Sequence, residues 1–210
     1  MTKSRSKKII EKLKEYYGNP ETILSFNNIY ELVIAVVLSA QTTDKQVNSV
    51  IKDLFSRYSD FHDLSLATQA DVEDIIRSVG LYRSKAKNII NLSIDIIKNH
   101  NGKVPDSLKE LVHLPGIGRK TANVILSLGF GKPAFAVDTH ILRIAGRIGY
   151  INSNNPNIVE KAITSYIPKD DWISAHLLFI KHGRSICVAR NPLCDECPIN
   201  PYCDASGNIS

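Results

Sequence analysis

The chain of 210 residues is long enough to bury a real core, as one large domain or two small lobes, without covalent staples. Its composition, 43% hydrophobic and 22% charged, is that of an ordinary globular protein and excludes a disordered or fibrous one. A net charge of +5 favours an acidic partner, the opening MTKSRSKK lacks a signal peptide's apolar stretch, and the longest apolar run, Leu32 to Leu38, is too short to cross a bilayer.

Helical periodicity then runs along most of the chain. Ile9, Ile10, Leu13, Tyr16 and Tyr17 repeat at three-and-four spacing, with lysines on the other face. Residues 30–39 are apolar all round, which predicts a helix buried in the middle of the protein. Residues 44–58 are amphipathic through Val47, Val50, Ile51, Leu54 and Phe55. Thr68, with Asp71 three residues on, caps a helix expected to end at Gly80. Another helix is expected over 84–99, through Ile89, Ile90, Ile94 and Ile97. Asp106 is the expected cap of a short helix ending at the Pro115–Gly116 turn, followed by helices over 119–128, 139–149, 156–166 and 171–182. No stretch alternates apolar and polar residues as a strand would, so the fold class is all-α. Glycine–proline punctuation near Gly18–Pro20 and Gly131–Pro133 marks soft boundaries, with no low-complexity linker and no internal repeat.

Two motifs carry chemistry. The stretch Leu114-Pro-Gly-Ile-Gly-Arg-Lys-Thr-Ala122 reads as helix, tight turn, helix. Gly116 and Gly118 leave backbone amides facing outward at the positive end of the second helix, a cradle for a phosphate that reads no sequence. A dinucleotide fingerprint needs a preceding strand and a third glycine, but Thr121 stands there; a P-loop needs a glycine before its lysine, but Arg119 stands there. A plain helix–helix turn is the competing reading. The second motif is the cysteine set Cys187, Cys194, Cys197 and Cys203, with no cysteine elsewhere. Its spacing, C-x6-C-x2-C-x5-C, lets four thiolates converge on one metal centre. A disulfide pair fits poorly in a chain expected to be cytoplasmic, where thiols stay reduced. Between zinc and an iron–sulfur cluster the spacing alone does not choose.

Taken in order, Leu38-Ser-Ala-Gln-Thr-Thr43, Gly80-Leu-Tyr82, the LPGIGRKTAN hairpin with Lys120, Ala136-Val-Asp138-Thr-His140 and the HGR-x-x-C lead-in to the cysteines closely resemble the endonuclease III family. These are bifunctional DNA glycosylases of the helix–hairpin–helix superfamily. The resemblance implies that Cys187, Cys194, Cys197 and Cys203 hold a 4Fe–4S cluster rather than zinc. It implies two helical lobes, residues 20–132 and residues 1–19 with 133–210, and DNA bound across the cleft between them. Lys120 matches the family's nucleophile, an amine that attacks C1′ of the sugar, expels the damaged base and leaves a Schiff base for β-elimination. Asp138 has an ordinary role as the N-cap of the helix starting at Thr139, and the resemblance adds a second catalytic role. Read alone, Gln41 is a helix-end polar group and Leu81 a packed leucine; the family match has Gln41 fill the hole left by an extruded nucleotide and Leu81 wedge the stack. The hairpin residues Gly116, Gly118 and Arg119 would grip the DNA backbone. So would the loop between Cys187 and Cys194, although there only Arg190 is basic.

The implied partner is double-stranded DNA carrying oxidised pyrimidines or abasic sites, met by a monomer in the cytoplasm of a bacterium, at the nucleoid, with no membrane role. Two rivals stand beside this reading. A related adenine glycosylase carries a glutamate in its early buried helix, where Leu32–Leu38 has no carboxylate, and a further mismatch-reading domain, for which the residues after Cys203 leave no room. A non-catalytic metal-containing DNA-binding protein would have no use for Lys120 together with Asp138.

Overall fold

In the computed structural model, which describes residues 1–206, the regular elements are all helical and no strand occurs among the described residues. The chain folds as two compact units, Thr22–Lys132 and Met1–Glu21 together with the chain from Pro133 onward.

The Thr22–Lys132 unit is built around α2 (Ile29–Leu38), capped by Asn28 and buried at Tyr30 and from Leu32 to Leu38, as a helix without a polar face must be. Around it lie α3 (Asp44–Arg57), α4 (Phe61–Ser65), α5 (Gln69–Ile75) and α6 (Tyr82–Asn99), then α7 (Leu108–Leu111) and α8 (Arg119–Val124). Helix α8 continues as a π-helical turn over Ile125–Gly129, where a Cβ on Gly129 would collide with Ile29 and Leu32 of α2. Two expectations differ from the structure, and one helix has no counterpart among them. Helix α4, capped by Asp60, is too short to display a period and was not foreseen. Helix α5 stops at Ile75, and the chain reaches Gly80 through a turn closed by the Val79 amide on the Ile76 carbonyl at 2.9 Å. The cap of α7 is Ser107, which accepts from the Glu110 amide; Asp106 instead pairs with Lys132 at 2.6 Å.

The other unit joins α1 (Lys3–Tyr17, capped by Thr2) to α9 (Thr139–Ile148), α10 (Pro156–Tyr166) and α11 (Trp172–Ser185). Ile9 and Leu13 of α1 enter a core with Phe135, Ile144, Val159 and Phe179, and Cys187 and Cys197 pack against that core. After α11 the chain carries short 3-10 turns at Cys194–Glu196 and Asn200–Tyr202. None of the described helices is long and apolar enough to cross a membrane.

Candidate functional site

The hairpin turns at Gly116, whose φ of +79° favours glycine, and whose missing Cβ lets Asn88 of α6 approach; a methyl there would sit 3.0 Å from the Asn88 Cβ. Gly118 is the N-cap of α8 with an ordinary φ of −90° and nothing within 4 Å of a built Cβ. It supplies no side-chain cap. A helix start without a side-chain cap is the arrangement at which an anion is drawn to the first turn. Arg119 and Lys120, the first two residues of α8, are both exposed.

Gln41 and Leu81 lie on two loops brought side by side. Both are exposed and both hold the left-handed conformation, with φ of 54° and 59°. Between the loops, a Cβ on Gly80 would lie 3.5 Å from the Gln41 carbonyl oxygen and 3.5 Å from Thr42 Oγ1. The Gln46 side-chain amide donates to the Ser78 carbonyl, and Lys85 Nζ donates to Thr42 Oγ1 at 2.6 Å. Leu81 caps α6 without a side-chain hydrogen bond, and Lys85 and Asn88 are one turn apart on that helix. The first half of α6 thus touches both loops and the hairpin. Sequence reasoning missed Lys85 and Asn88, although Lys85 left a signal as a lysine on the apolar stripe with Ile89, Leu92 and Ile96.

Asp138, half-buried, caps α9 by accepting the Ile141 amide on Oδ1 at 2.9 Å, which leaves its other oxygen outside the cap. His140 has a structural setting: its Nδ1 lies 3.1 Å from Arg143 Nη2, and Arg143 also donates to the carbonyls of Cys187 at 3.0 Å and Gly183 at 2.8 Å.

The four cysteines line one cavity, walled on its apolar side by Ile186, Leu193 and Ile199, and none is in a disulfide. Burial pushes the Cys197 thiol up to about 11 and raises Cys203 as well. Four sulfurs around one cavity with no carboxylate along its wall suit a cationic metal core, which deprotonates its thiol ligands outright. The all-sulfur donor set fits an iron–sulfur cluster. Its surroundings are fastened by groups the sequence did not announce. Arg147 Nη1 donates to Cys187 Sγ at 3.4 Å and to the Val188 carbonyl at 2.7 Å. Arg5 of α1 donates to the Tyr202 carbonyl through Nη2 at 2.6 Å and Nε at 3.0 Å, and pairs with Asp204 at 2.6 Å. The Tyr17 hydroxyl lies 3.0 Å from His182 Nδ1, whose Nε2 faces Cys197 Sγ at 3.7 Å. Burial pushes His182 down to about 4, so its ring is neutral and carries a single N–H. Arg190 is exposed beside Asn191, whose φ of 50° turns the loop.

Gln41, Leu81, Gly116, Gly118, Arg119 and Lys120 therefore belong to the Thr22–Lys132 unit, and Asp138, Arg190 and the four cysteines to the other. An all-helical chain with an anion-ready hairpin and a thiolate-lined loop defines a nucleic-acid-binding metalloprotein, and the comparisons are more specific. Residues 34–169 match the family described as HhH-GPD superfamily base excision DNA repair protein, and residues 187–203 the iron–sulfur binding domain of endonuclease III. Endonuclease III of Rickettsia felis is 46% identical over 94% of this chain and 92% of its own. That of Bacillus subtilis is 44% identical over 92% and 89%. A solved structure of a trapped endonuclease III–DNA covalent intermediate superposes with a TM-score of 0.93 at 42% identity, covering 98% of this chain and 97% of that one. The chain belongs to the endonuclease III family of the HhH-GPD superfamily. Its cofactor is a 4Fe–4S cluster.

Proposed function

We propose that the protein is a base-excision repair enzyme that removes oxidised pyrimidines from duplex DNA and cleaves the resulting abasic site by β-elimination. The observation that carries this reading is the likeness to an endonuclease III held in a covalent intermediate with DNA. A covalent intermediate requires a nucleophile, and Lys120 is an exposed amine in the first turn of α8, directly after the hairpin.

Amides at the hairpin and Arg119 hold a backbone phosphate, with Arg190 adding a contact from the cysteine loop. Leu81 wedges the base stack and Gln41 fills the space of the extruded nucleotide. The Lys120 amine, unprotonated when it reacts, attacks C1′ as the base leaves with the glycosidic electrons. The Asp138 carboxylate stabilises the positive charge that develops on the sugar and accepts the proton released by the amine. Ring opening gives a Schiff base, loss of a C2′ proton expels the 3′ phosphate, and water releases the lysine. Cys187, Cys194, Cys197 and Cys203 hold the cluster, which cross-links their loop and takes no part in these steps. The enzyme acts as a monomer on the bacterial nucleoid, in the cytoplasm.

Borohydride reduction tests the reading. Incubation with a duplex carrying thymine glycol or an abasic site should yield a covalent protein–DNA adduct, and undamaged duplex none. Base release without any adduct would indicate a monofunctional glycosylase, and neither product a binding protein.

A further inference from the structure

Lys85 lies on the buried side of its helix. On α6 it falls in line with Ile89, Leu92 and Ile96, at helical spacing, and all four are buried, Lys85 being 4% exposed. Its ammonium donates to the neutral Thr42 hydroxyl at 2.6 Å, and no carboxylate pairs with it among the described residues. Burial lowers its pKa from the usual lysine value with no opposing partner. A position that needed only volume would be filled more stably by methionine or leucine, since an ammonium buried without a counter-charge keeps part of its desolvation cost.

What the ammonium holds is the base of two strained protrusions. Thr42 directly follows Gln41, and Lys85 closes the first turn of α6 with its amide on the Leu81 carbonyl at 3.0 Å. Gln41 and Leu81 are exposed non-glycine residues at φ of 54° and 59°, and Leu81 is 62% exposed. Left-handed backbone is unfavourable for a side-chain-bearing residue, and it persists only where the surroundings enforce it. Neither residue is held by burial of its own side chain. The enforcing contacts come from behind: Lys85 on Thr42, Gly80 packed against Gln41 and Thr42, and the Gln46 amide on Ser78.

We propose that Lys85 is a positioning residue for nucleotide extrusion, its ammonium locking the Gln41 and Leu81 loops into one rigid two-pronged wedge before DNA arrives. This rests on the reading of Gln41 and Leu81 as the residues that enter the duplex. Ordering both loops in the free protein removes that entropy from the step in which the base leaves the stack. The cation also comes to lie behind a surface that meets phosphates, where its charge is favourable.

The test uses the full-length holoprotein with Thr42→Val, which keeps the shape but removes the hydroxyl, Thr42→Ser, which restores it, Lys85→Met, the Thr42→Val/Lys85→Met pair, and Leu81→Ala as reference. Extrusion is read from 2-aminopurine fluorescence next to a thymine glycol, chemistry from single-turnover base release, and folding from thermal melting. Thr42→Val and Lys85→Met should each slow extrusion and base release about tenfold, the scale of one charge-assisted hydrogen bond. The pair should be no slower than either alone, because both variants cut the same link. Thr42→Ser should recover the rate, and Thr42→Val should keep wild-type affinity for undamaged duplex. Wild-type extrusion in Thr42→Val, multiplicative losses in the pair, or losses that merely follow the melting temperature would each overturn the proposal. If Leu81→Ala leaves extrusion unchanged, the insertion reading beneath it fails; if Leu81→Ala slows extrusion and Thr42→Val does not, only the role of Lys85 falls. Thr42 is only half-buried, so its variants remain informative should Lys85→Met fail to fold.

Discussion

At Asp138 a cap and a proposed catalytic charge share one side chain. Oδ1 takes the Ile141 amide at 2.9 Å, and asparagine offers an equivalent oxygen without the charge. Asp138→Asn should therefore melt within a few tenths of a kcal/mol of wild type, roughly, while base release slows by about a hundredfold or more, as expected for loss of a charge aimed at a cationic transition state. Near wild-type turnover would leave Asp138 as a cap alone. Lys120→Gln asks the complementary question, since it keeps a long polar side chain on an exposed helical position. It should bind a thymine glycol duplex nearly as before but form no borohydride-trapped adduct and cut no strand. A trapped adduct in that variant would place the nucleophile at another amine.

The hairpin shows how an element's backbone decides which substitution is informative. Alanine at Gly116 meets a φ of +79° and the Asn88 side chain at 3.0 Å, so any lost DNA binding would be mixed with a strained turn costing about 1–2 kcal/mol. Gly118 is the cleaner position, with extended N-cap geometry and open space. Gly118→Ser should raise helix stability by about a few tenths of a kcal/mol, because serine caps better than glycine. Its hydroxyl would occupy a first-turn amide otherwise offered to phosphate, so affinity should fall equally for damaged and undamaged duplex. Unequal loss would mean that Gly118 reads the lesion rather than the backbone. The same element separates what the amino-acid sequence shows from what it hides. The hairpin was legible because two glycines, a lysine and a following apolar period stand in one run. Helix α4 was not, since five residues make barely more than one turn. The cap of α7 was legible and overlooked: Ser107 has Glu110 three residues on, whose amide it accepts, whereas Asp106 has Lys109 there and pairs with Lys132 instead. The left-handed backbone at Gln41 and Leu81 was invisible because neither is glycine or asparagine, and the groups packed behind the Gln41 loop, Gly80 and Lys85, are distant from it in sequence. The catalytic roles proposed for Lys120 and Asp138 rest on family likeness, because the residues alone justify an exposed lysine and a cap.

Across the whole molecule, the first helix and the last loop are joined. Arg5, near the start of α1, grips Tyr202 and Asp204 on either side of Cys203 and also donates to the Ile148 carbonyl at 3.0 Å. Tyr17, at the end of α1, reaches Cys197 through His182. The cluster loop is thus held at two of its cysteines by a helix nearly two hundred residues earlier, and its stability should depend on that helix as much as on the thiolates. Purified protein should be brown, with iron and sulfide in near-equal amounts; stoichiometric zinc in anaerobically prepared protein would contradict this. Arg5→Ala removes the charge-assisted hydrogen bonds to the two carbonyls and the exposed pair with Asp204, and the carbonyl bonds matter most because solvent screens the pair. The loss is on the order of 2–3 kcal/mol for the closed loop, so cluster bleaching by an iron chelator should accelerate by about a factor of thirty or more. Tyr17→Phe should accelerate it less, since it loses two neutral hydrogen bonds, to His182 and Ser185, and keeps the ring contact with His182. If the Arg5→Ala cluster bleaches at the wild-type rate, the loop closes without α1 and the join is incidental to the cluster.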